Sequence, residues 1–364
     1  MVQPKFVWLR RIALCFVLLR PSFAEQPSSD SIESGRSNHQ DASLIRLDPL
    51  DALSKYPPVV TALSCTKGGK WLVAAGDDHA LRVVQLRDGQ TLQTLKGHSD
   101  WVQAVATIEE SRLVFSCSND GTLRSWSESN GWSSKIVHQS DVALMAIAID
   151  SANEIVACLG FGHEIWIYSI HDGKLLTTLR SECSDQRAVA FSSDGRQLAA
   201  GGRDGSVRVW DWKSDRQPLE QQLHRDRIRS LSFSDDDSGI LSIGEDRHFI
   251  KYQPSTGKVL LDRKITSGRL LSMASINTEM IAIAGSDNTI RIVEIVSGTE
   301  INRLVGHDGS VAVMVCCGDH LISGSFDTTI RVWDLSQAMH KSLGNYEHPV
   351  SARFQDSGVG ESVR

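Results

Sequence analysis

The chain has 364 residues, of which 41% are hydrophobic and 23% charged, and a formal net charge of −6. That length exceeds what one ordinary core needs, so two domains or one large repetitive domain is expected. The acidic balance weighs against a general ligand for phosphate backbones, and no segment beyond the N-terminus is apolar enough to cross a membrane as a helix.

Residues 1–24 read as an export signal. Lys5, Arg10 and Arg11 form a positive start, "IALCFVLL" (12–19) is a short apolar core, and "SFA" ending at Ala24 suits signal peptidase. The apolar run is too short to span a bilayer as a helix. Leu14 stands where a lipoprotein signal would want a small residue before Cys15. Cleavage after Ala24 removes Lys5, Arg10, Arg11 and Arg20 and no acid, which takes the net charge from −6 to −10. The expected location is therefore a bacterial periplasm or cell envelope, or the medium. Residues 25–43 lack an apolar pattern and read as a solvated tether.

Six cysteines follow the signal: Cys65, Cys117, Cys158, Cys183, Cys316 and Cys317. Export permits disulfides, but these cysteines form no CxxC pair or dense framework. Most are expected to fill space in strands, and Cys183, in an expected loop, is the first choice for a reactive or paired thiol.

The rest of the chain repeats. "AAGDDHALRVV", "SCSNDGTLRSW", "CLGFGHEIWIY", "AGGRDGSVRVW", "SIGEDRHFIKY", "IAGSDNTIRIV" and "SGSFDTTIRVW" align on Asp78, Asp120, Gly162, Asp204, Asp246, Asp287 and Asp327. A spacing of 40–42 residues, with alternating apolar runs and Gly/Asp/Asn turns, specifies four strands per unit. One such unit has two faces to cover and two open edges. Seven arranged radially bury each face on a neighbour. "SLIRLDPL" (43–50) matches outer strands such as "TLQTLKGH", so it is expected to pair with the last unit and close the ring; "HKSLGNYEH" competes for that place. The final residues, 350–364, are left as a tail.

These units resemble the WD-repeat β-propeller family over about residues 42–349. The closing dipeptides Trp210-Asp211 and Trp333-Asp334 and the opening ones Gly97-His98 and Gly306-His307 carry the resemblance, and seven copies in register make it specific. It implies an all-β, seven-bladed propeller with four antiparallel strands per blade. It also implies polar tetrads: His98, Ser116, Asp120 and Trp126 in blade 2; His307, Ser323, Asp327 and Trp333 in blade 7; and His224, Ser242, Asp246 and Tyr252 in blade 5. In the family this His bonds the turn Asp and the strand Ser, and the Ser reaches the indole N–H. A nucleophilic triad would instead need its serine in a cleft beside oxyanion donors. Triplicated quartets inside blades are wiring, and no catalytic residue is assigned. Blades 1, 4 and 6 carry Ala74, Ala200 and Ile283 in place of the Ser and are expected to rest on apolar packing. Blade 3, with Gly162 at the Asp position, is expected to be the loosest.

The resemblance places function on one rim, where the loop entering each inner strand meets the turn before the Asp. Three positions per blade map there. They are Val59, Thr61 and Asp77 in blade 1; Trp101, Gln103 and Asn119 in blade 2; Ala143, Met145 and Phe161 in blade 3; Asp185, Arg187 and Arg203 in blade 4; and Arg227, Arg229 and Glu245 in blade 5. Arg269 in blade 6 and Ser310, Ala312 and Phe326 in blade 7 complete the ring. Arginines and exposed aromatics are the usual anchors of protein interfaces. An acidic protein or peptide segment is the expected partner, bound by a protomer that is monomeric within its complex. Nucleic acid is not expected. The alternative is that Asp185, Asp226 and Glu245 neutralise these arginines as ordinary solvated loops.

"GFGHEI" and "GGRDGS" sit on strand-to-strand turns, which make poor phosphate cradles, and the histidines show no HExxH or paired metal spacing. No cofactor or metal is expected. A propeller hydrolase or lyase working at the channel mouth is the second functional reading. A chromatin or RNA scaffold conflicts with the signal and the acidic charge.

Overall fold

The computed structural model describes residues 42–336 apart from 51–55, 67, 110, 151 and 153. The expected export signal, most of the tether, the segment "HKSLGNYEH" and the tail lie outside the described residues. Within them, 28 strands form seven antiparallel sheets of four.

Blade 1 runs outward from its inner strand Val60–Cys65 through Trp71–Gly76 and Ala80–Gln85 to the outer strand Thr91–Lys96. Blades 2 to 6 repeat that order, with inner strands Val102–Ile108, Leu144–Asp150, Gln186–Phe191, Ile228–Phe233 and Leu270–Ser275. Blade 7 begins at Val311–Cys317. Each inner strand touches the next, and the last touches the first, so the sheets close into a ring.

The second strand of each blade explains the tight radial packing. Segments such as "WLVAAG", "QLAAGG" and "MIAIAG" are buried along almost their whole length and are rich in small residues. A strand covered on both faces reads as a continuous apolar run rather than an alternating one. Outer strands such as Leu175–Arg180 are mostly exposed, as an edge facing solvent should be. The core is accordingly divided into seven apolar clusters, each shared by two consecutive blades.

Closure follows the expected route. Ser43–Arg46 is the outer strand of blade 7, in register Ser43 to Val332, Leu44 to Arg331, Ile45 to Ile330 and Arg46 to Thr329. Ile45 and Leu47 are buried in the cluster that joins blade 7 to blade 1. The cysteines correct one expectation. Cys183 is buried, with its Sγ 3.5 Å from the Asp185 carbonyl, and it is a free thiol. The pair is Cys65 with Cys317, whose Cα atoms lie 6.2 Å apart across 252 residues of sequence. Burial had hidden Cys183, and only ring closure brings the two partners together.

Because Ile45 is the apolar anchor of a four-residue closing strand, Ile45→Ala is expected to destabilise the ring by about 2–4 kcal/mol. Thermal or urea unfolding monitored by tryptophan fluorescence checks this, and an unchanged midpoint contradicts it.

Candidate functional site

The rim is built by backbone before any side chain is considered. In every blade, the N–H of the residue preceding the turn position donates to the carbonyl of the residue preceding the inner strand. The pairs are Asp77 to Val59, Asn119 to Trp101, Phe161 to Ala143, Arg203 to Asp185, Glu245 to Arg227, Ser286 to Arg269 and Phe326 to Ser310, all at 2.9–3.2 Å. Two of the three rim positions mapped from sequence are therefore adjacent in all seven blades. The third sits on a β-bulge. The second residue of each inner strand is skipped in the pairing register: Thr61, Gln103, Met145, Arg187, Arg229, Leu271 and Ala312. A bulge leaves a residue unpaired and re-aims its side chain. All seven are half-buried. Ser286 and Leu271 complete the set at blade 6 and were missed because neither residue type attracts notice as an anchor.

Beneath the rim lie the turn carboxylates, held in two ways. In blade 2, His98 Nδ1 lies 2.8 Å from Asp120 Oδ2 and Nε2 lies 2.7 Å from Ser116 Oγ, while Trp126 Nε1 donates to the same Oγ at 2.8 Å. Blade 7 matches it with His307, Asp327, Ser323 and Trp333 at 2.9, 2.7 and 2.8 Å. A hydrogen bond from His Nδ1–H to the carboxylate makes Nε2 the acceptor, so the serine donates to His and accepts from the indole. Its oxygen is spent. Ser116 and Ser323 are 0% exposed, so no substrate carbonyl can approach either hydroxyl. The tetrads are structural.

Two features of these networks were missed from sequence. Thr122 and Thr329 also donate to the Asp, at 2.6 and 2.5 Å. In blade 5, His224 bonds Asp246 at 3.0 Å and Ser242 at 2.9 Å, yet the buried Tyr252 shows no bond to Ser242 among the described residues. Burial pushes the Asp327 carboxyl up, but bonds from Thr329, His307 and the Asp308 N–H outweigh it and hold the group down at about 2.

Blades 1, 4 and 6 correct the expectation of apolar packing alone. Where the His and Ser are lacking, a buried arginine four residues after the turn Asp neutralises it: Arg82 to Asp78 at 2.5 Å, Arg208 to Asp204 at 2.7 Å and Arg291 to Asp287 at 2.6 Å. Here the buried guanidinium is the group that most needs a partner, and the turn Asp, half-buried in blades 1 and 6 and exposed in blade 4, supplies it. Blade 3, with Gly162, has no such carboxylate. There His138 bonds Tyr168 Oη at 2.6 Å and packs on Trp166.

On the rim itself, the arginines converge on two carboxylates. Asp185 takes Arg187 Nε at 2.5 Å and Arg227 Nη2 at 2.8 Å. Glu245 takes Arg227 at 3.1 Å, Arg229 at 3.6 Å and Arg269 at 3.7 Å. These arginines are thus partly neutralised, as the alternative reading held for Asp185 and Glu245. Four cations still share two anions, and the exposed Arg203 adds a fifth. Burial above all, with the nearby Arg187 and Arg227, pulls Arg229 below its usual value, while Glu245 and Asp185 act the other way. Arg187 also lies over the Phe161 ring, 4.7 Å from its centre. The aromatic side of the rim comprises Trp101, 36% exposed, and Phe326, 49% exposed, with Gln103 and Asn119 half-buried. Among the described residues, no group of three or more His, Cys, Asp or Glu side chains could hold a metal ion.

A family profile described as WD domain, G-beta repeat matches residues 89–127, 173–211 and 298–334. Each segment spans the outer strand of one blade and three strands of the next, which are blades 2, 4 and 7. Among curated proteins, the chain is similar to "Nuclear distribution protein PAC1-1" of Uncinocarpus reesii, 26% identical over 90% of this chain and 71% of that one. It is also similar to "U3 snoRNP-associated protein-like EMB2271" of Arabidopsis thaliana, 26% identical over 75% of this chain and 52% of the relative. "Pre-mRNA-processing factor 19" of Bos taurus is 26% identical over 50% of this chain and 36% of its own length.

The turn carboxylates of blades 7 and 1 give two predictions. His307→Ala should lower stability at pH 7 by about 1–3 kcal/mol by leaving Asp327 and Ser323 short of a partner. Burial holds the folded His307 below its ordinary 6.5 and the folded Asp327 carboxyl titrates below its ordinary 3.8, so that difference should shrink as pH falls through 6.5 and again from 3.8 towards about 2, where Asp327 becomes neutral. Melting temperatures across that range test the sign. In blade 1, Arg82→Met alone should cost about 3 kcal/mol, whereas Arg82→Met with Asp78→Asn should cost clearly less. A double-mutant cycle by denaturant unfolding measures the difference, and strict additivity contradicts the pairing.

Proposed function

We propose that this chain, a member of the WD40-repeat β-propeller family, is a non-catalytic platform that docks an acidic segment of a protein partner on its rim. One observation carries the reading: a backbone frame repeated in seven blades presents unlike side chains, and the cationic ones are gathered on blades 4, 5 and 6. In this reading the partner's carboxylates meet Arg203, Arg269, Arg229 and Arg187, while Trp101 and Phe326 supply apolar anchors. Gln103, Asn119, Arg227 and Glu245 fix the geometry between them. An acidic chain is a poor match to phosphate backbones, which favours protein over nucleic acid as the ligand.

The proposed place of work is outside the cytoplasm, in a bacterial periplasm, cell envelope or the medium. The basic start, the apolar core "IALCFVLL" and "SFA" before residue 25 support that reading. One relative is described as "U3 snoRNP-associated protein-like", which associates that protein with an assembly, and membership of an assembly is likewise proposed here.

The test uses the exposed Arg203 and Arg269, and it removes charge at 269 rather than reversing it, because Arg269, like Arg229, pairs with Glu245. Arg203→Glu with Arg269→Gln should abolish capture of the partner from the native host's envelope fraction. Trp101→Ala should weaken it about tenfold or more. Capture by the wild type should fall as salt rises. A partner set unchanged in both variants and indifferent to salt overturns the proposal.

A further inference from the structure

We propose that the Cys65–Cys317 disulfide is a covalent clasp that locks the closed ring by tying blade 7 to blade 1. Three observations carry this inference, none of them involving the rim.

The first is position. Cys65 ends the inner strand of blade 1 and Cys317 ends the inner strand of blade 7, so the bond ties the N-terminal strands of the propeller to its C-terminal ones, which elsewhere meet through non-covalent contacts such as the pairing of Ser43–Arg46 inside blade 7. At the outer edge of the same blade, closure rests on the four residues Ser43–Arg46. The two devices hold opposite edges of blade 7, one by hydrogen bonds and one by a covalent bond. The Cα separation of 6.2 Å lies within the span a disulfide bridges.

The second is isolation from competing thiols. Cys316 is the immediate neighbour of Cys317, but successive strand residues face opposite ways. Cys316 packs against the cluster between blades 6 and 7, whereas Cys317 belongs to the cluster between blades 7 and 1. Burial pushes the Cys316 thiol up to about 12, which leaves little thiolate to attack its neighbour's bond. Cys117, Cys158 and Cys183 are buried in other blades. The geometry favours one pairing and keeps the chain's own free thiols from exchanging with it.

The third is access. A cavity of about 850 Å³ lies at the joint, lined by Cys317, Gly68, Gly69, Gly89, Ser43 and Ile45 among others. A small thiol or disulfide can therefore reach the bond in the folded ring. Formation is an exchange: the Cys65 and Cys317 thiols lose two protons and pass one electron pair to a low-molecular-weight or protein disulfide, which leaves as two thiols. Such a bond persists in an oxidising compartment, which agrees with the proposed export and does not depend on it.

The test refolds the full chain from the reduced, denatured state in a buffer of oxidised and reduced glutathione, then alkylates it in denaturant and maps its peptides. Cys65 and Cys317 should be recovered as one cross-linked peptide, with Cys117, Cys158, Cys183 and Cys316 alkylated. Adding dithiothreitol to the folded protein should lower its melting temperature by roughly 5–15 °C. Cys65→Ala with Cys317→Ala should show the same fall and no further response to reductant. If that variant fails to fold, wild type reduced in place still gives the reading. Alkylation of both cysteines after oxidative refolding, or a melting temperature unmoved by reductant, overturns the clasp. Neither result bears on the rim, whose partner capture is read separately.

Discussion

The backbone hydrogen bond between the residue before each turn and the residue before each inner strand is the contact on which the rim depends. It recurs in all seven blades although the residues joined are as different as Asp77 with Val59, Phe161 with Ala143 and Glu245 with Arg227. A bond between main-chain groups does not constrain the side chains it brings together, provided each keeps its backbone conformation. The frame is thereby fixed while the chemistry displayed on it can vary from blade to blade. The bulge at the next residue but one extends the same logic, since an unpaired strand residue is released to point where the ladder would not send it.

Below that frame, the turn carboxylate poses a problem that the blades solve differently. A charge drawn wholly or partly out of water, whether the carboxylate or an arginine beside it, is tolerated only when paired and hydrogen-bonded. Blades 2, 5 and 7 surround it with His and backbone N–H groups, joined by Thr in blades 2 and 7, and blades 1, 4 and 6 use a buried arginine. Blade 3 dispenses with the carboxylate. These are exchangeable answers to one electrostatic requirement, which explains why quartets that look like hydrolase triads recur without a reaction to perform. Ser116 and Ser323 are fixed between an imidazole and an indole, and nothing else can reach them.

Much of this was legible in the sequence because periodicity is a property of the chain alone. The seven turn positions, the strand count per blade and the closing role of "SLIRLDPL" follow from a repeat whose outer strand is always completed by the neighbouring unit. The arginine pairs were not legible, and the reason is specific. Arg124 in blade 2 and Arg331 in blade 7 occupy the same place in the repeat as Arg82, Arg208 and Arg291. With His98 already on Asp120, Arg124 turns instead to Thr122 and Ser134. One residue type at one position therefore has two roles, chosen by whether a histidine arrives from the preceding loop. The disulfide was hidden for a related reason: 252 residues separate its partners, and their proximity exists only once the ring has closed.

The same dependence on neighbours governs the cationic side of the rim. Asp185 and Glu245 do more than cancel charge, because each ties down arginines from adjacent blades: Arg187 and Arg227 on one, Arg227, Arg229 and Arg269 on the other. Arginine loses much rotamer freedom when it is immobilised, and here part of that loss is already met by the fold before any ligand arrives. What is left over is a net positive field from groups held in place, graded outwards to Arg269, whose side chain is 70% exposed. Isolated solvated arginines would have to be ordered by each incoming carboxylate. A network braced across three blades has its orientation set in advance, so the docking of acidic segments proposed for it would draw on geometry as well as on charge.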